Sequence, residues 1–306
     1  MSVFGPVPSR RLGKSLGVNN IPVKICSYSC VYCQLGRTLE MSIERKEYYP
    51  PSKIFEEAKE KAGNADYITF VPDGEPTLDI NIGKEIELLR QIKKVAVLTN
   101  GSLLWREDVR HDLMNADLVS IKIDAVSEKL WKKIDRPHPE LRLEKVMEGM
   151  LEFAREFKGE IITETMLIDG IDYAEEFERM ADFIKKIKPS KAYIAIPTRP
   201  PAEPWVRAAS EEMIVKAYDA FSKVARTEYL IGYEGNEFTS HGNFEEDLLS
   251  ITSVHPMRRD AVEKLLEKHG SWQLVEKLLK EGKIMEIEYE GNKFYMRRIK
   301  SRNDLK

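Results

Sequence analysis

Cysteine is scarce in this 306-residue chain, and long hydrophobic runs are missing. Only three cysteines are present, an odd number that argues against a framework of disulfides. No apolar stretch approaches the roughly 18–20 residues of a membrane-spanning helix. The opening residues, MSVFGPVPSRRLGK, lack the apolar core of a secretory signal. We therefore expect a cytoplasmic protein that does not interact with membranes.

Neither sign of charge dominates the chain. The 48 lysines and arginines nearly balance the 51 aspartates and glutamates, which leaves a formal net charge of −3. This balance gives no general argument for nucleic-acid binding, although it is compatible with a local basic patch. An apolar fraction of 42% is enough to build a core and excludes an intrinsically disordered chain.

Short apolar runs alternate with longer amphipathic segments over the first two thirds of the chain. The runs predict buried strands near 16–19 and at 67–71, 95–98, 118–123, 161–167 and 192–196. The amphipathic segments predict helices at 52–62, 82–93, 143–157, 174–187 and 210–225. Repeated strand–helix alternation indicates a parallel sheet with right-handed crossovers. Six units are too few for a closed eight-unit barrel, so we expect an α/β fold with an open or partial barrel.

The pattern changes after residue 240. Two helical segments, 258–268 and 272–281, precede two short strands, 284–289 and 293–298. This order resembles a winged-helix module, and a helical cap packed on the barrel explains it equally well. We predict a barrel of residues 1–240 and a winged-helix-like α+β module of residues 245–306. The last ten residues contain five cations against one acid, Asp304: Arg297, Arg298, Lys300, Arg302 and Lys306.

The three cysteines lie within eight residues, in the segment CSYSCVYC. Cys26, Cys30 and Cys33 have the spacing C-x3-C-x2-C. Thiolates are the usual ligands of iron–sulfur clusters, and a 4Fe–4S cluster normally takes four of them. Three cysteines would leave one iron without a cysteine, and that open position could hold a chelating small molecule.

Three other interpretations of the cysteines stay open. A zinc site would need a distant histidine as its fourth ligand. A redox pair formed by Cys30 and Cys33 would leave Cys26 unexplained. Inert buried thiols would not be expected to gather so closely by chance.

The cysteine spacing, with Tyr32 directly before the third cysteine, resembles the motif of the radical S-adenosylmethionine (SAM) superfamily. The resemblance extends over the first 240 residues and implies a partial (β/α)6 barrel of the radical SAM type. It implies a 4Fe–4S cluster held by Cys26, Cys30 and Cys33, with SAM on the fourth iron. An external electron donor of the ferredoxin or flavodoxin type would reduce the cluster. SAM would then give methionine and a 5′-deoxyadenosyl radical, which takes hydrogen from a substrate.

Polar residues at the ends of two strands are candidates for a SAM site. Gly74 and Glu75 follow the strand 67–71, and by resemblance this edge binds the SAM amino group. A carboxylate and backbone carbonyls suit an ammonium, whereas the alternative is a simple Pro-Asp-Gly turn. Thr99 and Asn100 end the next strand, as in several activating-enzyme relatives, or belong to an Asn-Gly turn.

The fourth strand carries Ser120, Lys122 and Asp124 at a period of two, which puts them on one face inside the barrel. Three polar groups there are costly without partners. The carboxylate and ribose hydroxyls of SAM are suitable partners. Alternatively, Lys122 and Asp124 pair with each other.

The fifth and sixth strands add further candidates. We expect Thr163 or Thr165 to contact the ribose, with Glu164 facing the other way. The loop PTRPPAEPW follows the sixth strand, and its four prolines suit a rigid wall that presents Arg199. His241, in the loop 232–243, is another candidate for substrate contact.

The segment FGPVPSRRLGKSLG, together with CSYSCVYCQLG, resembles a branch related to the wybutosine-type tRNA-modifying synthases. This resemblance makes tRNA or another RNA a candidate substrate. The archaeal wybutosine synthases carry upstream cysteines for a second cluster, and none precedes Cys26 here. Their pyruvate-condensing activity is therefore not carried over. The alternatives are an activating or peptide-modifying radical SAM enzyme and a non-enzymatic iron–sulfur sensor that binds DNA through the winged helix.

Overall fold

The computed structural model describes residues 2–22, 24–232, 235–236, 238–239, 243–269 and 271–298. Its strands are β1 (Val3–Ser9), β2 (Gly13–Val18), β3 (Ile25–Cys26), β4 (Glu40–Met41), β5 (Tyr67–Phe70), β6 (Lys94–Thr99), β7 (Leu118–Lys122), β8 (Glu160–Met166), β9 (Lys191–Ala195), β10 (Thr227–Leu230), β11 (Met257–Arg258), β12 (Ile284–Tyr289) and β13 (Asn292–Arg297). Its helices are α1 (Pro51–Lys61), α2 (Ile82–Leu89), α3 (Glu107–Leu113), α4 (Glu128–Ile134), α5 (Leu143–Glu156), α6 (Glu176–Ile187), α7 (Glu211–Phe221), α8 (Phe244–Val254), α9 (Arg259–His269) and α10 (Trp272–Lys280).

Eight strands form one curled sheet in the order β1-β2-β5-β6-β7-β8-β9-β10. From β2 onward every neighbouring pair is parallel, whereas β1 pairs with β2 in the antiparallel sense. At least one helix lies between each pair of consecutive parallel strands along the chain. The prediction of an α/β fold with a partial barrel is confirmed.

Both strands that the sequence pattern does not predict lie at the edges of this sheet. β1 has the sequence VFGPVPS, in which a glycine and two prolines obscure the strand signal. Proline is tolerated there because an edge strand needs hydrogen bonds on one side only. β10 has the sequence TEYL, and only Leu230 is fully buried, so it lacks an apolar run. The parallel part of the sheet therefore contains seven strands instead of six.

Two apolar clusters cover the two faces of the sheet. The helices pack on the outer face, where Ile54, Ile86, Phe153 and Ile184 are fully buried. The inner face carries a smaller cluster that contains Leu12, Ala96, Leu118, Ile162, Tyr193, Ala195 and Leu230. Ser120 and Lys122 of β7 and Glu164 of β8 also lie on this inner face, where they give a cavity a polar and charged wall.

The C-terminal part of the chain packs on the edge strand of the barrel. α8, α9, α10 and the three-stranded sheet β11-β13-β12 surround a hydrophobic cluster that also contains Phe4 and Val7 of β1. The helix–helix–hairpin order agrees with the sequence pattern to within one residue at each boundary. The division into two domains and the relationship to winged helices stay predictions, and the basic tail beyond residue 298 lies outside the described residues. None of the helices in the described ranges is long and apolar enough to cross a bilayer.

Buried carboxyl groups support the chain segment that follows β5. Asn20 Nδ2 donates to the carbonyl of Pro76 at 3.2 Å and to Glu85 Oε2 at 3.3 Å. Burial, reinforced by the nearby Asp79, raises the pKa of Glu85 to about 9. Burial likewise raises the pKa of Asp79 to about 7. Glu85 is therefore protonated in the folded protein at neutral pH.

Glu85→Gln is expected to stabilise the protein increasingly as the pH rises. Burial raises the folded-state pKa of Glu85 from its ordinary value of 4.5 to about 9. The stability that the protonated carboxyl group contributes is therefore fully present below pH 4.5 and is lost as the pH rises towards about 9. Glutamine stays neutral and avoids this loss. Thermal unfolding between pH 5 and pH 9 should show an advantage of the variant that grows with pH. Glu87→Gln, at an exposed position of α2, is the control, and a pH-independent difference between Glu85→Gln and the parent would contradict the assignment.

Candidate active site

A cavity of about 350 Å³ opens at the carboxyl ends of the parallel strands. Its size lies within the range of small-molecule sites. Residues that follow β5, β6 and β9 line it, as do the β1–β2 hairpin and the end of α8. All three cysteines face this cavity, as the position of the motif at the sheet's carboxyl edge predicts.

The three thiols are free and half-buried, and all of them line the same cavity. Cys26 ends β3, and Cys30 and Cys33 lie in the loop after it. Burial and then the charge of Glu75 raise the pKa of Cys26 to about 12. Burial and then Asp135 raise the pKa of Cys30 well above its usual range, and repulsion between the cysteines adds to both shifts. A bound cationic metal would be needed to convert such thiols into thiolates.

Each of the three sulfurs has a polar neighbour of a different kind. Lys24 Nζ donates to Cys33 Sγ at 3.6 Å, and Asn100 Nδ2 donates to Cys26 Sγ at 3.7 Å. Cys30 Sγ lies 3.5 Å from Asp135 Oδ1. N–H donors directed at sulfur favour the thiolate form, the form that binds metals.

Among the described residues, no three histidine, cysteine or acidic side chains form a group that could hold a metal ion. The zinc alternative therefore has no support in these residues. A 4Fe–4S cluster is a different case, because each cysteine would bind a different iron, so the three sulfurs need not converge on one ion.

Gly74 and Glu75 join the end of β5 to the strand that carries the first cysteine. A Cβ atom at Gly74 would lie 1.7 Å from the carbonyl oxygen of Ile25, so no other residue fits without moving the backbone. The amide of Glu75 donates to the same carbonyl at 3.2 Å. This close approach fixes the Gly-Glu edge beside Cys26.

The side chain of Glu75 joins β5 to β6. Its Oε1 accepts from the hydroxyl of Thr77 at 2.7 Å and from that of Thr99 at 2.5 Å, and its Oε2 accepts from the amide of Asn100 at 2.9 Å. Gly74, Glu75, Thr99 and Asn100 all line the cavity. The structure thus brings together the candidate residues that follow β5, Gly74 and Glu75, and those at the end of β6, Thr99 and Asn100.

Charged side chains form the cavity wall on β7 and β8. Ser120 and Lys122 line it, and Lys122 Nζ lies 3.0 Å from Glu164 Oε1. Arg11, from the β1–β2 hairpin, pairs with the other carboxylate oxygen of Glu164 at 2.9 Å. Burial alone would raise the pKa of Glu164, but the charges of Arg11 and Lys122 outweigh it and lower the pKa to about 2.

Thr163, which is predicted to contact the ribose, does not line the cavity, because the residues of β8 alternate between the two faces in the opposite order to the expected one. Glu164 stands beside Lys122 in the register of the sheet and lines the cavity. Thr163 stands beside Ile121, whose side chain belongs to the outer core, and is 1% exposed. Thr165 lies on that same outer face and donates to the carbonyl of Ile123 at 2.8 Å. The inner position of β8 is charged because Lys122 and Arg11 are there to pair with it.

Asp124 holds the cysteine loop in place and does not line the cavity. Its Oδ1 accepts from the amide of Met166 at 2.7 Å, and its Oδ2 accepts from the hydroxyl of Tyr32. Lys122 lies 4.7 Å from the centre of the Tyr32 ring. The ion pair of Lys122 joins two strands and is made with Glu164, whereas the alternative interpretation paired Lys122 with Asp124.

Arg199 lies where three parts of the chain meet. It donates to Gln34 Oε1 at 2.6 Å and lies 3.2 Å from Nε2 of His255. Gln34 directly follows the third cysteine, and its amide donates to the carbonyl of Val254 at 2.9 Å. The pattern does not predict Gln34 or His255, since His255 is brought in by the C-terminal elements. His241, like Tyr233 and Glu234 in the same loop, lies outside the described residues.

Comparison with known proteins identifies the family. Residues 20–184 match the family model of the radical SAM superfamily. The chain belongs to the radical SAM superfamily. It is 50% identical to UPF0026 protein MJ1312 of Methanocaldococcus jannaschii, over 98% of this chain and 97% of that protein, and so also belongs to the UPF0026 family. It is 36% identical to GTPase Obg of Brachyspira hyodysenteriae over 93% of this chain, but spans only 43% of that protein.

Solved structures of SuiB from Streptococcus suis share the radical SAM fold. SuiB bound to S-adenosylmethionine has a TM-score of 0.51 and covers 69% of this chain, and SuiB bound to precursor peptide SuiA has a TM-score of 0.52 and covers 68%. Both are 14% identical to this chain, which spans about half of SuiB. Membership of the radical SAM superfamily makes this chain an enzyme and implies SAM and an iron–sulfur cluster.

Gly74→Ala is expected to lower iron incorporation severalfold. The new Cβ would collide with the Ile25 carbonyl, so β3 and Cys26 must shift. Iron content after anaerobic reconstitution, together with thermal unfolding, measures this effect. Gly232→Ala is the control because a Cβ there meets no atom within 4 Å. Equal iron content in the two variants would show that the close packing does not position the cysteine.

Proposed function

We propose that this chain binds a 4Fe–4S cluster through Cys26, Cys30 and Cys33 and cleaves SAM reductively to activate a substrate. The convergence of three free, half-buried thiols on a cavity that also contains the Gly74–Glu75 edge carries the proposal. The bound cofactors would supply the one-electron cleavage of SAM that gives methionine and a 5′-deoxyadenosyl radical. A cytoplasmic location and an external electron donor of the ferredoxin or flavodoxin type are part of this proposal.

The residues of the cavity fit both the iron–sulfur cluster and SAM. Lys24 and Asn100 direct N–H donors at two of the sulfurs, as a set of thiolate ligands requires. The chain contains three cysteines in all, so one iron of a cluster would be open to SAM.

The polar lining suits the polar groups of SAM. The Gly74–Glu75 edge offers a carboxylate and carbonyl oxygens to the ammonium group. Lys122 offers a cation to the carboxylate group, and Ser120 offers a hydroxyl. Glu164 replaces Thr163 as the acceptor for the ribose hydroxyls, since it is the polar residue of β8 that lines the cavity.

Apolar residues complete the wall and keep water from a reactive site. Val7 of β1, Met166, Ile196 and Val254 all line the cavity. Val254 belongs to the C-terminal part of the chain, which therefore contributes directly to the enclosure. Exclusion of water prevents side reactions of a radical.

We infer RNA, with tRNA first, as the substrate class, and the resemblance to the wybutosine-type branch supports this inference. Salt dependence tests this inference, because phosphate contacts weaken steeply with ionic strength. A peptide substrate is the alternative, and SuiB, which binds precursor peptide SuiA, shares the fold. A mass change on a protein with no change in RNA nucleosides would favour the peptide. Because this chain belongs to a superfamily of enzymes, the non-enzymatic sensor is not carried further.

Cys30→Ala is expected to abolish both the brown cluster and the formation of 5′-deoxyadenosine. The thiol is one of only three in the chain, so its loss cannot be compensated. Iron and sulfide content after anaerobic reconstitution, and 5′-deoxyadenosine after addition of SAM and dithionite, measure the two losses. Circular dichroism verifies that the variant is folded. A folded variant that still cleaves SAM reductively would falsify the proposed function.

Lys24→Met is expected to shift the midpoint potential of the reconstituted cluster to a more negative value. A buried ammonium 3.6 Å from Cys33 Sγ stabilises added negative charge on the cluster, and methionine lacks that charge. A redox titration monitored by electron paramagnetic resonance measures the shift. Lys14→Met, at an exposed position of β2, is the control. Identical potentials in the parent and Lys24→Met would exclude this role for Lys24.

A further inference from the structure

A basic concave surface lies on the outside of the cysteine loop. The end of α4 and the segment that leads to α5 form it, together with two residues from around the cysteine motif. We call this surface the basic groove, and its residues include Ser29, Met41, Lys132, Arg136, His138 and Arg142. It shares no lining residue with the active-site cavity.

The lining of the basic groove carries positive charge and no carboxylate. Lys132 is 65% exposed and pairs with Glu128 one helical turn away, so the two side chains together add no net charge. Arg136 shares the carboxylate of Glu203 with Arg37, and these three side chains keep one net positive charge. Arg142 makes its hydrogen bonds to the carbonyls of Pro139 and Leu141, at 2.9 and 3.1 Å. Such a surface attracts acidic partners from solution.

The basic groove lies directly behind the cysteines. The amide of Ser29 donates to the carbonyls of Asp135 and Arg136 at 3.0 and 3.1 Å, and the amide of His138 donates to the carbonyl of Ser27 at 2.8 Å. Asp135 Oδ1 is 3.5 Å from Cys30 Sγ. Residues of the groove are therefore hydrogen-bonded to the cysteine loop itself, next to Cys30.

We propose that the basic groove is the docking site of a small acidic electron-transfer protein that reduces the cluster. This inference rests on the proposed function, since only a redox cluster behind the groove gives such a partner a role. The donor, a flavin or iron–sulfur protein, is oxidised by one electron and the cluster is reduced by one electron. No bond forms or breaks, and no proton is required.

The position of the basic groove favours an electron donor over an RNA substrate. A substrate must reach the cavity in which the radical forms, and the groove and the cavity have no wall residue in common. An electron donor needs to approach only the cluster, and the groove ends at the loop that holds it. Complementary charge then speeds association and makes the rate sensitive to salt.

The test compares two reductants on the reconstituted full-length protein. Flavodoxin hydroquinone is an acidic protein that must dock, whereas dithionite is a small ion that needs no docking site. The double variant Lys132→Gln, Arg142→Gln, which removes two positive charges, should slow reduction by flavodoxin about tenfold at low salt. Reduction by dithionite, followed by the same absorbance change, should be unaffected, which also verifies that the variant is folded and loaded.

Lys216→Glu is the matched control. Lys216 is 64% exposed and pairs with Glu212 one turn away on α7, so it reproduces the setting of Lys132 away from the basic groove. This variant should be reduced by flavodoxin at the parent rate. An equal slowing in the control and the double variant would reduce the effect to net charge and overturn the proposed site.

The remaining outcomes show whether the proposed docking site or the proposed function is wrong. If flavodoxin reduces the double variant at the parent rate while dithionite still drives SAM cleavage, the docking site is wrong and the function stands. If the double variant loses affinity for tRNA with no change in reduction by flavodoxin, the groove is a nucleic-acid surface and the proposal is overturned. If dithionite drives no SAM cleavage in the parent, the proposed function itself fails.

Discussion

The geometry of the site depends on the contact between Gly74 and the carbonyl of Ile25. No side chain fits between them, so the loop that follows β5 lies directly on the residue before Cys26. Glu75 accepts hydrogen bonds from Thr99 and Asn100 at the end of β6, and the side chain of Asn100 donates in turn to the Cys26 sulfur. A closed set of contacts thus determines where the first thiol stands relative to the strand ends, and both proposed cofactor sites depend on it.

Buried charge is tolerated here because it is paired across neighbouring strands. Glu164 would be costly alone, but Lys122 and Arg11 each contact one of its carboxylate oxygens. Arg11 comes from the β1–β2 hairpin, so the antiparallel edge strand does more than extend the sheet. Its apolar side chains pack on the C-terminal elements, and its hairpin supplies a charge to the cavity wall.

Local patterns predict the parts of this molecule that depend on local sequence. The cysteine spacing indicates the family, and the apolar runs locate the central strands to within a few residues. Local sequence does not decide which residues of β8 face the cavity. Glu164 faces it instead of Thr163 because Lys122 and Arg11, from distant parts of the chain, pair with the carboxylate there. β1 is missed for a related reason, since its prolines are acceptable only at the edge of a sheet. Gln34 and His255 meet only after the C-terminal elements have packed on the barrel.

The central claim is that three cysteines hold a cluster with one iron open to SAM. The most direct measurement is the electron paramagnetic resonance spectrum of the reconstituted, dithionite-reduced protein, recorded with and without SAM. Coordination of SAM to an iron of the cluster changes its ligand field, so the account predicts a changed line shape when SAM is added. A reduced-cluster signal that is identical with and without saturating SAM would contradict the account.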